Sequence, residues 1–139
     1  MGKIFETIKS FLTKDEIHYS LNESNDIFSF GFNTEHGAIR EKILVNEEKE
    51  WFWVTGFFPN NIPVKYIDKV YPILNELNRL QSGNFVKFCV DPQDGELSCT
   101  WIATVKNEAI NEQIVQSLIY TVVKSIDNEY ENIMKVVYN

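Results

Sequence analysis

Positive charge is in short supply in this sequence: 13 Lys and Arg stand against 20 Asp and Glu, for a formal charge of −7 and an isoelectric point near 4.8. Nucleic-acid affinity rests largely on Lys and Arg displacing counterions from phosphates, so this balance argues against a nucleic-acid partner and against an anionic lipid surface. Long apolar runs are missing too. None approaches the roughly 20 residues of a membrane span, and the opening MGKIFETIKSFLTKDE interrupts its apolar residues with charges where a signal peptide needs an unbroken apolar core. Glu6 stands where N-myristoylation requires Ser or Thr. The chain therefore reads as cytoplasmic, with no membrane partner.

Cysteine is equally scarce. Cys89 and Cys99 cannot supply a four-thiolate metal site, and no histidine neighbours them in sequence to complete one. They fall on paired strands and are read as two buried, reduced thiols rather than a disulfide, a reducing compartment being the simpler inference. Linkers rich in Pro, Gly or Ser, internal repeats and low-complexity tracts are absent, so residues 1–139 read as one domain. Hydrophobic residues at 44% and charged residues at 24% are the composition of a chain that folds.

Recognisable catalytic patterns are lacking as well. The sequence contains no GxSxG, Walker loop, dinucleotide fingerprint or HExxH. His18 and His36 lie in separate polar segments, with no carboxylate or cysteine at ligand or catalytic spacing, and are read as surface histidines. Glu47, Glu48 and Glu50 flank a turn and read as a solvated tip, while DPQDGE resembles part of a calcium loop but lacks the twelve-residue ligand pattern and its closing Glu. No catalytic residue, metal site or cofactor is expected.

What the sequence does have is strong periodicity. Ile4, Phe5, Ile8, Phe11 and Leu12 recur at helical spacing over residues 3–13. Three strands follow: Phe28, Phe30 and Phe32 alternating with polar residues, then AIREKILVN after a turn ending in Gly37, then the aromatic run from Trp51 to Phe58, which Pro59 and Pro63 terminate. A second helix is expected over about 64–81, with Gly83 as its C-terminal cap and Pro72 either kinking it or marking its start. Strands NFVKFCV and LSCTWIATV are joined by an Asp94-Gly95 hairpin turn, and Asn111 caps a long helix whose apolar residues run from Ile114 to Ile133. The expected fold is α+β in the order α-β-β-β-α-β-β-α, an antiparallel twisted sheet packed with helices.

The run EWFWVTGFF poses the functional question. Trp51, Trp53 and Phe57 point to one side of a strand, and Phe52, Val54 and Phe58 to the other. Pairing Asn33 with Ala38, and Val45 with Trp51, joins Trp51, Trp53 and Phe57 to the Phe28 face, beneath the first and last helices. Leu44, Phe52, Val54 and Phe58 are then left on the opposite face among Ser29, Gly31, Arg40 and Lys42. A one-residue slip exchanges the two sets. Exposed, these four side chains form an apolar patch of several hundred Å², at the upper edge of what monomers tolerate. The middle helix, a second copy of the chain or a client polypeptide are the candidate covers.

The segment YPILNELNRLQSGNFVKFCVDPQDGEL, with its Leu74-Asn75 and Leu77-Asn78 repeat, and the order of elements resemble YbjN-type proteins. These are described as sensory transduction regulators and share the fold of type III secretion chaperones. The likeness runs from about Ile27 to Ile133 in texture and over the whole chain in element order; the aromatic third strand is heavier than the family pattern. The resemblance implies a small acidic homodimer without cofactor, which in the chaperone branch holds an extended client segment, and it offers no catalytic residue to carry over. The expectation is thus a non-enzymatic protein-binding module, chaperone-like or regulatory, acting as a homodimer on another polypeptide through Leu44, Phe52, Val54 and Phe58. A small-ligand-binding sensory domain is the alternative.

Overall fold

The computed structural model describes residues 2–79, 86–106 and 109–138. Among them the elements are α1 (Lys3–Lys14), β1 (Ser20–Leu21), β2 (Ile27–Thr34), β3 (Gly37–Asn46), β4 (Trp51–Phe57), a 3-10 turn (Val64–Tyr66), α2 (Ile67–Arg79), β5 (Lys87–Val90), β6 (Leu97–Thr104) and α3 (Glu112–Tyr138). The strands form one sheet in the order β1-β2-β3-β4-β6-β5, antiparallel at every junction. The α+β architecture expected from the sequence is the one found. Strand β1 was not expected; two residues carry no period to read.

The N-termini of α1 and α3 are held by side chains of identifiable chemistry. The first turn of α1 has no side-chain cap of its own. The carboxylate of Glu47, from the β3–β4 turn, instead accepts the N–H groups of Ile4 at 3.2 Å and Phe5 at 2.9 Å, placing negative charge on the positive end of the helix. Glu47 is therefore a tether rather than the solvated tip expected of it. Asn111 caps α3 as its side chain suggests, its Oδ1 accepting the Ile114 N–H at 2.9 Å. Helix α2 begins at Ile67 and passes through Pro72, which therefore does not mark its start. Gly83, the expected cap, lies outside the described residues.

Helices α1 and α3 pack together on one face of the sheet, α3 against β3, β4 and β6, while α2 packs on β5 and α3. Beneath them the inner face presents Phe28, Ile39, Ile43, Phe52 and Val54, all fully buried, with the Phe5 ring of α1 seated 5.0 Å from that of Phe28. The β2–β3 register pairs Asn33 with Ala38, as expected.

The β3–β4 register differs from expectation by one residue. Asn46, not Val45, lies opposite Trp51, so Val45 faces Phe52 and Ile43 faces Val54. The turn at 47–50 explains it: the Asn46 side chain accepts the Lys49 N–H at 2.9 Å, and Glu50 adopts the left-handed region at φ 57°, which closes the hairpin one residue tighter. A one-residue shift sends every side chain of β4 to the other face. The outcome is favourable on two counts. Phe52, Val54 and Phe58, which have no polar side-chain atoms, go inside, while Trp51 and Trp53, each carrying an indole N–H, take the half-buried positions of the other face. Gly56 also turns inward, where a Cβ would stand 2.7 Å from both Val122 Cγ1 and Ile126 Cδ1; its missing side chain is what lets α3 lie close on the sheet.

The free edge of β5 is closed by a side chain. Asn78 of α2 receives the Phe88 N–H on Oδ1 at 2.7 Å and donates from Nδ2 to the Phe88 carbonyl at 2.9 Å, occupying the ladder positions that an incoming strand needs. At the β5–β6 turn Gly95 has φ +76° and no room for a Cβ, which would lie 1.8 Å from the Ile62 carbonyl oxygen, so the Asp94-Gly95 turn expected from the sequence is also a packing point against the chain that leads into α2.

Candidate functional site

All three described helices leave the second face of the sheet open. Its centre is a row across three strands, Leu44 on β3, Trp53 on β4 and Ile102 on β6, aligned by the registers Leu44↔Trp53 and Trp53↔Ile102. Trp51 stacks on Trp53 with ring centroids 4.8 Å apart and planes 18° from parallel, which holds the two indoles face against face. Ile102 is 54% exposed; it pairs with Trp53 on β4, while the β5–β6 ladder ends at Thr100. Below the row, Phe57 lies under the Arg40 guanidinium, 5.1 Å from the ring centroid, and the Thr55 and Thr100 hydroxyls meet at 3.1 Å.

The charge on this face opposes that of the chain. Outward positions of the paired strands carry Arg40, Lys42 and Lys87 and no carboxylate, because Glu41 points inward and Glu96, which bonds Arg40 at 3.5 Å, precedes β6. On a protein of charge −7 this is a local inversion, and it combines flat aromatic area with cationic rims.

Of the residues expected to form the patch, the structure puts only Leu44 here. Phe52 and Val54 are 0% exposed and Phe58 is 3% exposed, all three against the helices; this corrects their placement, and the cause is the tight turn at 47–50 described above. Trp51, Trp53, Phe57 and Ile102 take their place. The signals that locate them are the side chain of Asn46, which favours the shorter turn, and Gly56, whose missing Cβ suits a helix-facing position.

Three further groups bear on chemistry. His36, expected on the surface without partners, has a side chain only 14% exposed and stacks on Tyr130 at 4.5 Å. Its Nδ1 lies 2.8 Å from Asp127 Oδ1 and its Nε2 3.3 Å from Glu131 Oε1. These carboxylates, Asp127 first, raise its pKa above the usual imidazole value. They sit one helical turn apart on α3 and some 90 residues away in sequence (|i−j| 91 and 95), so local spacing could not show them. The second group is Glu41, 1% exposed in the core with neither carboxylate oxygen hydrogen-bonded; burial pushes its pKa up to about 9. The third is the cysteine pair. Both are free; Cys99 is buried as expected, whereas Cys89 is exposed, since Cys89 faces Ser98 and Cys99 faces Phe88 on opposite sides of the sheet. Burial raises the Cys99 pKa.

The architecture is a six-stranded antiparallel sheet with helices on one face, and solved structures share this fold. Particular structures of similar fold are a chain of the ExsC–ExsE complex (TM-score 0.72, 12% identity, covering 94% of this chain and 93% of that one) and a chain of the HopA1–SchA chaperone–effector complex (TM-score 0.59, 11% identity, covering 91% and 93%). A third is YbjN from E. coli, described as a transcription regulator (TM-score 0.57, 12% identity, covering 96% and 87%). The likeness to YbjN-type proteins read from the sequence thus holds for the fold. No protein-family model and no curated protein matches the chain. Among the described residues no helix is long and apolar enough to cross a membrane.

Proposed function

We propose that this protein is a non-enzymatic, chaperone-like or regulatory binding module that holds another polypeptide on the open face of its sheet. The observation that carries the proposal is the row Leu44–Trp53–Ile102 with Trp51 stacked beside it, uncovered by any described helix. Stacked indoles and an exposed isoleucine beside them are a costly surface to leave in water; at about 25 cal/mol per Å², covering roughly 300 Å² of it contributes on the order of 7 kcal/mol before association entropy is subtracted. The face suits an extended segment, whose alternate side chains fall between the rows of a sheet. Two structures of similar fold are complexes, one of them a chaperone with its effector, which supports the same reading.

The homodimer is part of this proposal, and light scattering tests it. Away from the sheet face, Val64 and Tyr71 around the start of α2, 57% and 44% exposed, and Tyr120 and Tyr138 on α3, 37% and 64% exposed, are large apolar side chains bared among the described residues. The binding role is tested with the double variant Trp51→Ser/Trp53→Ser: its fold stays intact by circular dichroism and it no longer recovers partner polypeptides in pull-downs, whereas undiminished recovery refutes the assignment. A small-ligand sensory role is the second reading. It draws on a groove of about 610 Å³ lined by Leu12, Thr13, Glu16, Ile17, His18 and Tyr19, and a metabolite that raises the melting temperature of the protein would favour it.

A further inference from the structure

The β2–β3 turn and α3 bring together one imidazole and three carboxylates in an arrangement that a surface ion pair does not require. Asp127, the nearest and least exposed of the carboxylates, stands 2.8 Å from Nδ1 of His36, so it accepts the Nδ1–H and fixes the tautomer. Nε2 faces Glu131 Oε1 at 3.3 Å and Glu35 Oε1 at 3.9 Å. A neutral imidazole lone pair directed at two anionic oxygens is repulsive. The space between Nε2 and those oxygens therefore calls for a positive charge, and either a proton or a metal ion supplies it.

The spacing suits the ion. Ligands held at the usual zinc distances of about 2.1 Å in a tetrahedron are separated by about 3.4 Å, close to the Nε2–Glu131 separation; Glu35 Oε1, 3.9 Å from Nε2, has to swing towards Glu131 to complete the set. A carboxylate on the far nitrogen is the common outer partner of a metal-bound histidine, orienting the ring and raising its basicity. Here the orientation is doubly fixed, because the ring also stacks on Tyr130, and the turn is held by Thr34, whose hydroxyl accepts the His36 N–H at 3.2 Å and donates to the Gly37 carbonyl at 2.8 Å. Glu35, His36 and Asp127 offer ligand atoms all within 4.8 Å of one another.

We infer that His36 Nε2, Glu131 and Glu35 form a binding site for one divalent transition-metal cation of the zinc type, with Asp127 positioning the imidazole and water completing the coordination. The bound ion clasps the β2–β3 turn to the C-terminal half of α3. This inference is independent of the sheet-face proposal: the site is built on α3, which packs on the opposite side of the sheet.

The test is calorimetric titration of the full chain with ZnCl2 at neutral pH, with Co2+ absorption as a second readout. The chain carries Cys89→Ser, because Cys89 is an exposed thiol and a thiolate is itself a zinc ligand. One equivalent is expected to bind saturably, with a cobalt spectrum of nitrogen–oxygen coordination. His36→Ala is expected to weaken binding at least about 100-fold, and Asp127→Asn about 10- to 100-fold. Glu131→Gln serves should the His36 variant fail to fold. Its side chain is 83% exposed, so the fold survives, and affinity falls about 10-fold. Absence of saturable binding overturns the inference. So does equal binding by His36→Ala and its parent, which would mean that the ion merely collects on an acidic surface.

Discussion

Glu41 gives the sharpest physical prediction. It stands on the inner face of β3 opposite Phe30 and Gly56, 1% exposed, with neither oxygen hydrogen-bonded. Burial raises its pKa from 4.5 to about 9, so the folded protein holds this carboxyl protonated at neutral pH while the unfolded chain ionises it. A folded pKa above the unfolded one contributes stability that is complete below about pH 4.5 and is lost as pH rises towards 9. At about 1.4 kcal/mol per pH unit, moving from pH 5 to pH 8 removes roughly 4 kcal/mol, a large share of the 5–15 kcal/mol typical of a domain. The assay is urea unfolding followed by tryptophan fluorescence at both pH values for the wild type and Glu41→Gln. The amide cannot titrate, so the stability difference between the two proteins should change by about 4 kcal/mol over that interval, with the wild type losing ground as pH rises. Comparison with the amide cancels the titration of the remaining carboxylates. Glu41→Met should stabilise the fold at pH 8 by more than Glu41→Gln, because it also removes the buried group that lacks a partner. A wild-type-minus-Gln difference that is flat from pH 5 to pH 8 would refute the reasoning.

Other predictions follow from packing. Gly56→Ala should destabilise by about 1–3 kcal/mol in urea unfolding, since the new methyl meets Val122 and Ile126 at 2.7 Å and must lift α3. Phe52→Ala should cost about 3–5 kcal/mol, whereas Trp53→Ala, on the open face, should cost about 1 kcal/mol; equal losses would mean that the two faces have been assigned the wrong way round. Asn78→Ala removes both bonds to Phe88, so it should cost about 1–3 kcal/mol and promote self-association in sedimentation through the bared β5 edge.

Element order and the first hairpin were legible because their signals are local. Phe28, Phe30 and Phe32 alternate cleanly, Asn33 pairs with Ala38 across a turn ending in Gly37, and Asn111 caps a helix with apolar residues at threes and fours. The face of β4 was not legible by the same means. It depended on whether Val45 or Asn46 closes the second hairpin, and a chain with bulky residues at Trp51, Phe52, Trp53 and Val54 alike gives alternation nothing to distinguish. What decided it were a turn held by the Asn46 side chain and the close approach of α3 to Gly56, the second a tertiary contact. The environment of His36 was invisible for a related reason: its partners Asp127 and Glu131 are brought to it only when α3 crosses the sheet. Glu47 likewise reads as one more acid in a turn until α1 places its first N–H groups above it.

The claim at the centre of this account is that the sheet face bearing Trp51 and Trp53 holds another polypeptide. Its most direct test places a photo-crosslinking amino acid at position 53 and, as a control, at the exposed Lys124 position on α3, with irradiation in cells and mass spectrometry of the adducts. Binding at this face yields a discrete adduct to a different polypeptide from position 53 and none from position 124. No adduct from 53, or the same adducts from both positions, would contradict it.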